Sequence, residues 1–235
     1  MKVLTVVLTF NEELHIQHVI QDIKTSLPFS DILIIDGESE DQTAQLAREA
    51  GVWVISIPSS YGIAGGMEMG LFFAHALNYD VVIRMDGDGQ HNASAAHILY
   101  QELFDRNVDF VLGSRFINAL SQYEPSFVRK ISIFLFSKVV SKIVGQRIYD
   151  TTSGLQVFNK KVICFLNKIK NFEYSEVETL VLLKKNNFKI LEIPTIMKER
   201  KGGQSSFGPS RSFFYVFVGF FSLVLQVMRK NDVKN

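Results

Sequence analysis

The 235-residue chain has a single cysteine, Cys164, so it can form no internal disulfide and completes none of the cysteine and histidine spacings of a zinc site. A small buried hydrophobe is the expected state of that thiol. Charge of one sign is also lacking. Twenty-five Lys and Arg stand against 24 Asp and Glu, a formal net charge of +1, which leaves no surplus for gripping a polyanion and argues against a nucleic-acid partner. No G-x-G-x-x-G follows the first strand-like run, where Thr9-Phe10-Asn11-Glu12-Glu13 stands instead. A dinucleotide would find no backbone cradle there, although Asp36 ends the second strand where a ribose-binding acid would lie. No G-x-x-x-x-G-K-[ST] occurs, which removes a P-loop. The acidic loop at Asp86 has His91 and His97 where an EF-hand needs glycine at position six and glutamate at position twelve, so calcium sensing is excluded. The apolar start Met1–Thr9 is only a strand long before Asn11-Glu12-Glu13, too short for a signal peptide, and a cytoplasmic chain is expected.

What is present is a globular composition: 47% apolar and 21% charged residues, enough to bury a core. Val3–Thr9 is an apolar, β-branched run of strand length, and Leu14, Ile16, Val19, Ile20, Ile23 and Leu27 then recur at helical spacing behind Asn11, a candidate N-cap. Ile32–Ile35 reads as a second strand. Ser39-Glu40-Asp41-Gln42 reads as a capping box opening a helix that stops at Gly51. Val52–Ile57 is a third strand, the glycine-containing stretch Tyr61–Gly70 leads into a helix reaching about Asn78, and Asp80–Met85 is a fourth strand. Phe110–Leu112 is a further one. Such alternation specifies an α/β fold with a parallel sheet flanked by helices, which binds ligands outside the carboxyl ends of its strands. Thr9 and Asn11, Asp36, Asp86 and Asp88, and Gly113-Ser114-Arg115 all fall at those ends, so the fold gathers them along one rim.

Asp86-Gly87-Asp88 is the chemically pointed element. Two carboxylates around a glycine at a strand end suit a hard cation, Mg²⁺ or Mn²⁺, whose shell is completed by phosphate oxygens. Arg84-Met85-Asp86-Gly87-Asp88-Gly89-Gln90-His91, Val7–Glu13, Ile34–Thr43, Gly113-Ser114-Arg115, Asp150–Gln156, Ser175-Glu176-Val177-Glu178, and Glu192-Ile193-Pro194 with Arg200, Gly203 and Ser205 together resemble the family 2 glycosyltransferases of GT-A (Rossmann-like) fold. Within that family the chain is most similar to the dolichol-phosphate and polyprenyl-phosphate sugar synthases. It departs from their pattern at Thr9 and Phe10 for proline and tyrosine, Gly37 for a second aspartate, Gln156 for arginine and Ser206 for lysine.

The resemblance implies a nucleotide-sugar site of Thr9, Asn11, Glu12, Asp36, Asp86, Gly87, Gln90, Arg115 and Ser205, with Asp36 at the base and ribose and Arg115 near phosphate. It implies metal ligation by Asp86 and Asp88, inversion at the transferred sugar, and a loop carrying Arg200 that closes over the diphosphate. Arg200 suits a bidentate phosphate clamp. Asp41, at a helix start, is expected to cap. A hydroxyl acceptor would require a base, for which Glu176, Glu178 and Asp150 are the candidates; an already anionic lipid phosphate would require none.

Two stretches bear on the acceptor. Phe127–Val144 mixes Arg129, Lys130, Lys138 and Lys142 with apolar residues at helical spacing, the pattern of a helix lying in a membrane interface. Ser212–Met228 carries no charge and is rich in Phe, but its 17 residues fall short of the ~20 that a spanning helix needs. It is expected to lie in the interface, with an oligomer contact as the rival. The expected organisation is a catalytic domain over 1–211 and an apolar helix with basic tail over 212–235, working at the inner membrane face on a nucleotide-sugar and a polyprenyl phosphate or lipid-linked glycan. A soluble transferase to a sugar hydroxyl and a non-catalytic nucleotide-sugar sensor are the alternatives.

Overall fold

The computed structural model describes residues 1–117, 127–169 and 176–198, with backbone alone over 127–133. Arg200, Ser205, Ser212–Met228 and the expected boundary at 211 lie outside the described residues. Among those described, seven strands form one sheet: β1 (Val3–Thr9), β2 (Ser30–Asp36), β3 (Trp53–Ser56), β4 (Val81–Asp86), β5 (Phe110–Ser114), β6 (Gln156–Asn159) and β7 (Ile190–Pro194), in the order β3-β2-β1-β4-β6-β5-β7. Helices α1 (Ile16–Ser26), α2 (Thr43–Glu49), α3 (Gly62–Ala76), α4 (Ala93–Asp105), α5 (Phe127–Val144), α6 (Lys160–Lys168) and α7 (Glu176–Lys185) connect and cover them.

The sheet is buried on both faces, which is why its central strands are almost wholly apolar. Side chains alternate across β1: Leu4 and Val6 enter a core with α3, α5, α6 and α7, whereas Val3 and Val7 enter a second core with α1 and α4. Burying each such side chain contributes about 1.5–3 kcal/mol. On the first face α3 lies unusually close to the sheet. A Cβ on Gly70 would come within 2.7 Å of Val6 Cγ1, so the glycines of this helix set its packing distance.

The mostly parallel α/β arrangement is as the sequence implies, with one departure. β6 runs antiparallel to both β4 and β5, inserted between them. Several local expectations also change. Ile16, Val19, Ile20, Ile23 and Leu27 are buried as their spacing requires, but Leu14 is 71% exposed because α1 begins only at Ile16. Asn11 is not the N-cap of α1; His15 occupies that position without a side-chain bond. Ser39 does not open a capping box, since its hydroxyl turns back to Asp36. Asp41 precedes the N-cap of α2, which is Gln42 without a side-chain bond, but its carboxylate accepts from the Thr43 and Glu13 amides at 2.9 and 3.1 Å. Burial works against its ionisation, but these bonds and one from the Thr43 hydroxyl win and hold its pKa below the ordinary value. The glycine-rich stretch is itself helical from Gly62. Cys164 is partly exposed rather than buried.

Candidate functional site

Three neighbouring parallel strands, β2, β1 and β4, end together, and their register fixes the site. Thr9 pairs with Asp36 on one side, and Leu8 pairs with Asp86 on the other. Asp36, almost fully buried, is held by the Ser39 amide and hydroxyl at 3.1 and 2.6 Å, with the Thr9 hydroxyl 3.4 Å away. Asn11 adopts a left-handed φ of 55° and spans the first two loops: its amide donates to Ser39 Oγ at 2.8 Å, and its Oδ1 accepts from the Glu40 amide at 2.9 Å. Glu12 is buried next to it, its amide bonded to Thr43 Oγ1. Asn11 and Glu12 therefore shape the rim through their backbone and amide contacts.

The Asp86-Gly87-Asp88-Gly89 turn is packed as tightly as backbone allows. A Cβ on Gly87 would meet Thr9 Cγ2 at 2.4 Å, and the Gly87 amide donates to the Leu8 carbonyl at 2.8 Å. Gly89 supplies the positive φ, 71°, that completes the turn. Asp88 Oδ1 accepts from the Gln90 amide at 3.0 Å. Asp86 lies between two basic side chains, with Oδ1 3.7 Å from Arg84 Nη2 and Oδ2 3.9 Å from His91 Nε2. Because the Asp86 amide donates to His91 Nδ1 at 3.1 Å, the neutral ring carries its proton on Nε2, the nitrogen facing that carboxylate. Gly154 closes the third side: a Cβ there would fall 2.2 Å from Asp86 Oδ2.

These carboxylates give the hard oxygen donors that a divalent cation takes. Among the described residues no three His, Cys, Asp or Glu side chains gather into a metal cage, so a cation held by Asp86 and Asp88 would complete its shell with substrate oxygens and water. Gln90 joins this turn to the chain beyond β7. Its carbonyl accepts from the Lys198 amide at 3.0 Å, and its Nε2 donates to the Lys198 carbonyl at 3.2 Å.

Two of the expected site residues bond to each other. Asp150, a candidate base, is fully buried and accepts from Arg115 Nε at 2.6 Å, Arg115 Nη2 at 2.7 Å, and the amides of Arg115 and Thr152 at 3.1 and 3.2 Å. So bonded, its carboxylate is not placed to take a proton from an acceptor. Arg115 in turn directs Nε and Nη2 to Asp150, and Nη2 also to Thr152 Oγ1. Asp150 is further fixed through its own amide, which donates to Glu192 Oε1 at 2.7 Å. Burial pushes the Glu192 carboxyl up, against hydrogen bonds from the Tyr149 and Asp150 amides and the Ser114 hydroxyl; the nearby Asp150 charge adds to the rise.

Glu176 and Glu178 open α7, where acidic side chains complement the positive end of the helix dipole. Glu178 is buried, and Glu176 Oε1 accepts from Arg84 Nη2 at 2.8 Å. Arg84, His91, Gly154 and Lys198 are the contributors that the sequence reading assigned no role. Arg84, His91 and Gly154 do fall within stretches that carry the family resemblance, and Arg84 also stands out as a charge inside the apolar run Val81-Val82-Ile83-Arg84-Met85.

The chain is 25% identical over 205 residues to a UDP-N-acetylglucosamine–dolichyl-phosphate N-acetylglucosaminyltransferase of Methanococcus voltae, covering 79% of this chain and 81% of that one. It is 25% identical over 213 residues to an undecaprenyl-phosphate mannosyltransferase of Micrococcus luteus, covering 87% of each. Its fold matches the crystal structure of glucosyl-3-phosphoglycerate synthase from Mycobacterium tuberculosis in complex with Mn²⁺ and UDP-glucose, with a TM-score of 0.73 at 16% identity over 98% of this chain and 80% of that one. The family model for glycosyl transferase family 2 matches residues 5–166, a span that runs from β1 through the Asp86-Gly87-Asp88 turn to α6. With most of its length and the whole carboxylate rim inside that match, the chain belongs to glycosyl transferase family 2.

Proposed function

We propose that this transferase moves a sugar, with inversion, from a UDP- or GDP-sugar to a polyprenyl phosphate at a membrane surface, using Mg²⁺ or Mn²⁺. The observation that carries the reading is the placing of Asp36 and Asp86-Gly87-Asp88 on either side of Thr9, on three adjacent strand ends. Asp36 recognises the nucleoside, Asp86 accepts from the sugar, and Asp88 faces the diphosphate. A cation bound there supplies Lewis-acid neutralisation of the charge that grows on the departing diphosphate. Arg200 assists from the loop. Lys198, two residues before it in the sequence, is pinned to Gln90.

The acceptor oxygen attacks the anomeric carbon from the face opposite the leaving diphosphate, forming one C–O bond as the other breaks. A phosphate oxygen is already anionic, so no proton need be removed. This agrees with the burial of Asp150 and Glu178, neither of which is exposed for base catalysis. The relatives named for dolichyl and undecaprenyl phosphate support the lipid acceptor over a sugar hydroxyl. So does α5. Its inward side buries Phe136, Val140 and Val144, while Phe134 and Leu135, 51% and 56% exposed, share the outer side with exposed Lys138 and Lys142. Apolar side chains flanked by lysines suit the interface of an anionic bilayer. No described helix is long and apolar enough to cross one.

Calorimetric titration of UDP and GDP, each with and without Mn²⁺, tests the donor half of the proposal. One nucleotide should bind, and Mn²⁺ should tighten it; metal-independent binding, or none, would remove the catalytic reading of Asp88.

A further inference from the structure

Arg84 is 1% exposed in the middle of the sheet, and a buried guanidinium is tolerated only beside negative charge. Val82, Arg84 and Asp86 project from the same face of β4, the face that turns to the core shared by Val82 with Leu180 and Leu183 of α7. That places Arg84 under the first turn of α7. Its Nη2 is shared between Glu176 Oε1 at 2.8 Å and Asp86 Oδ1 at 3.7 Å. Asp86 is thus confined by Arg84, by His91 and by the bare Cα of Gly154.

We propose that Arg84 is a positioning residue that holds the Asp86 carboxylate in its working orientation, and that Glu176 acts through Arg84 as its anchor and not as the general base. The proposal rests on the donor site assigned above. Without Arg84, His91 is the basic side chain left beside Asp86 among the described residues, and Asp86 turns toward it. Without the Glu176 charge, Arg84 loses its 2.8 Å carboxylate contact and is drawn closer to Asp86. The chain Glu176, Arg84, Asp86 therefore ties the start of α7 to the donor rim, and changes in one are felt at the other.

Crystal structures of the free wild-type protein, Arg84→Met and Glu176→Gln test the positioning directly, and calorimetric titration of UDP or GDP with Mn²⁺ into each tests its consequence. In Arg84→Met the Asp86 carboxylate should swing toward His91, with nucleotide affinity falling on the order of tenfold. In Glu176→Gln the 3.7 Å separation between Arg84 and Asp86 should close to hydrogen-bond distance, with a smaller change in affinity. The double variant should bind no more weakly than Arg84→Met, because both substitutions act on one chain of contacts. An Asp86 unmoved in Arg84→Met, an unchanged Arg84 to Asp86 distance in Glu176→Gln, or strictly additive losses would each overturn the proposal. Glu176→Gln serves by itself if Arg84→Met does not fold, since its side chain is partly exposed at a helix start. Intact nucleotide affinity with transfer abolished in Glu176→Gln would restore Glu176 as a base. A wild type that binds neither nucleotide would overturn the donor assignment instead, and the crystal structures would still decide the role of Arg84.

Discussion

Arg115 and Asp150 close on each other through two parallel charge-assisted hydrogen bonds, Nε to Oδ2 at 2.6 Å and Nη2 to Oδ1 at 2.7 Å, with the carboxylate wholly out of solvent. The pair joins the end of β5 to the loop that leads into β6. Removing one partner leaves the other buried and uncompensated, which typically costs about 3–5 kcal/mol. Arg115→Met and Asp150→Asn should each lower the unfolding free energy from urea titration by that order, and with it the midpoint, and Arg115→Lys should recover little because an ammonium cannot fill both bonds. A near-normal midpoint in Asp150→Asn would show that the pair contributes little.

Asp88 stands at the other extreme, half-buried at the rim and supporting no core. Asp88→Ala should leave the thermal midpoint nearly unchanged while slowing transfer on the order of 10²- to 10³-fold. Excess chelator on the wild type should match that loss. Undiminished turnover in either case would contradict metal use at this residue.

Gly154 has no room for a side chain beside Asp86. In Gly154→Ala either the loop or the carboxylate must give way, and a displacement of about 1 Å at a reacting centre costs roughly 10²-fold in rate. Steady-state kinetics should show that loss with the protein still folded by circular dichroism. Wild-type kinetics would mean that the contact yields without disturbing Asp86.

The pH dependence of stability should carry the mark of Glu192. Its pKa is raised on folding, chiefly by burial, so the folded state holds the proton more tightly than the unfolded chain. Its contribution is fully present below the ordinary value of 4.5 and is lost as pH rises through the folded value. Glu192→Gln should flatten that part of the stability curve in denaturant titrations from pH 4 upward. Parallel curves for variant and wild type would show that Glu192 titrates alike in both states.

Much of this arrangement was legible because β1, β2 and β4 are continuous apolar runs closed by polar residues, a signal that needs no knowledge of the neighbouring strands. Parallel strands with such endings bring Thr9, Asp36 and Asp86 to one edge. The antiparallel β6 was not legible: Gln156-Val157-Phe158-Asn159 is too short to show a period, and its place between β4 and β5 is fixed by long-range pairing. The same applies to side-chain partners. Arg115 looks as available for phosphate as any arginine after a strand until Asp150, 35 residues away, closes on it. Asn11 followed a strand and preceded a helix, yet its left-handed backbone turned it toward Glu40.

Transfer itself is the most direct test of the central claim. The purified 235-residue chain would be incubated with vesicles containing undecaprenyl phosphate, Mn²⁺ and one UDP- or GDP-sugar at a time, and the lipid fraction analysed by mass spectrometry. The account predicts a glycosyl-phosphoryl lipid from one of these donors, absent when the metal is chelated. Transfer only to a free sugar hydroxyl, with the lipid phosphate unmodified for every donor, would contradict it.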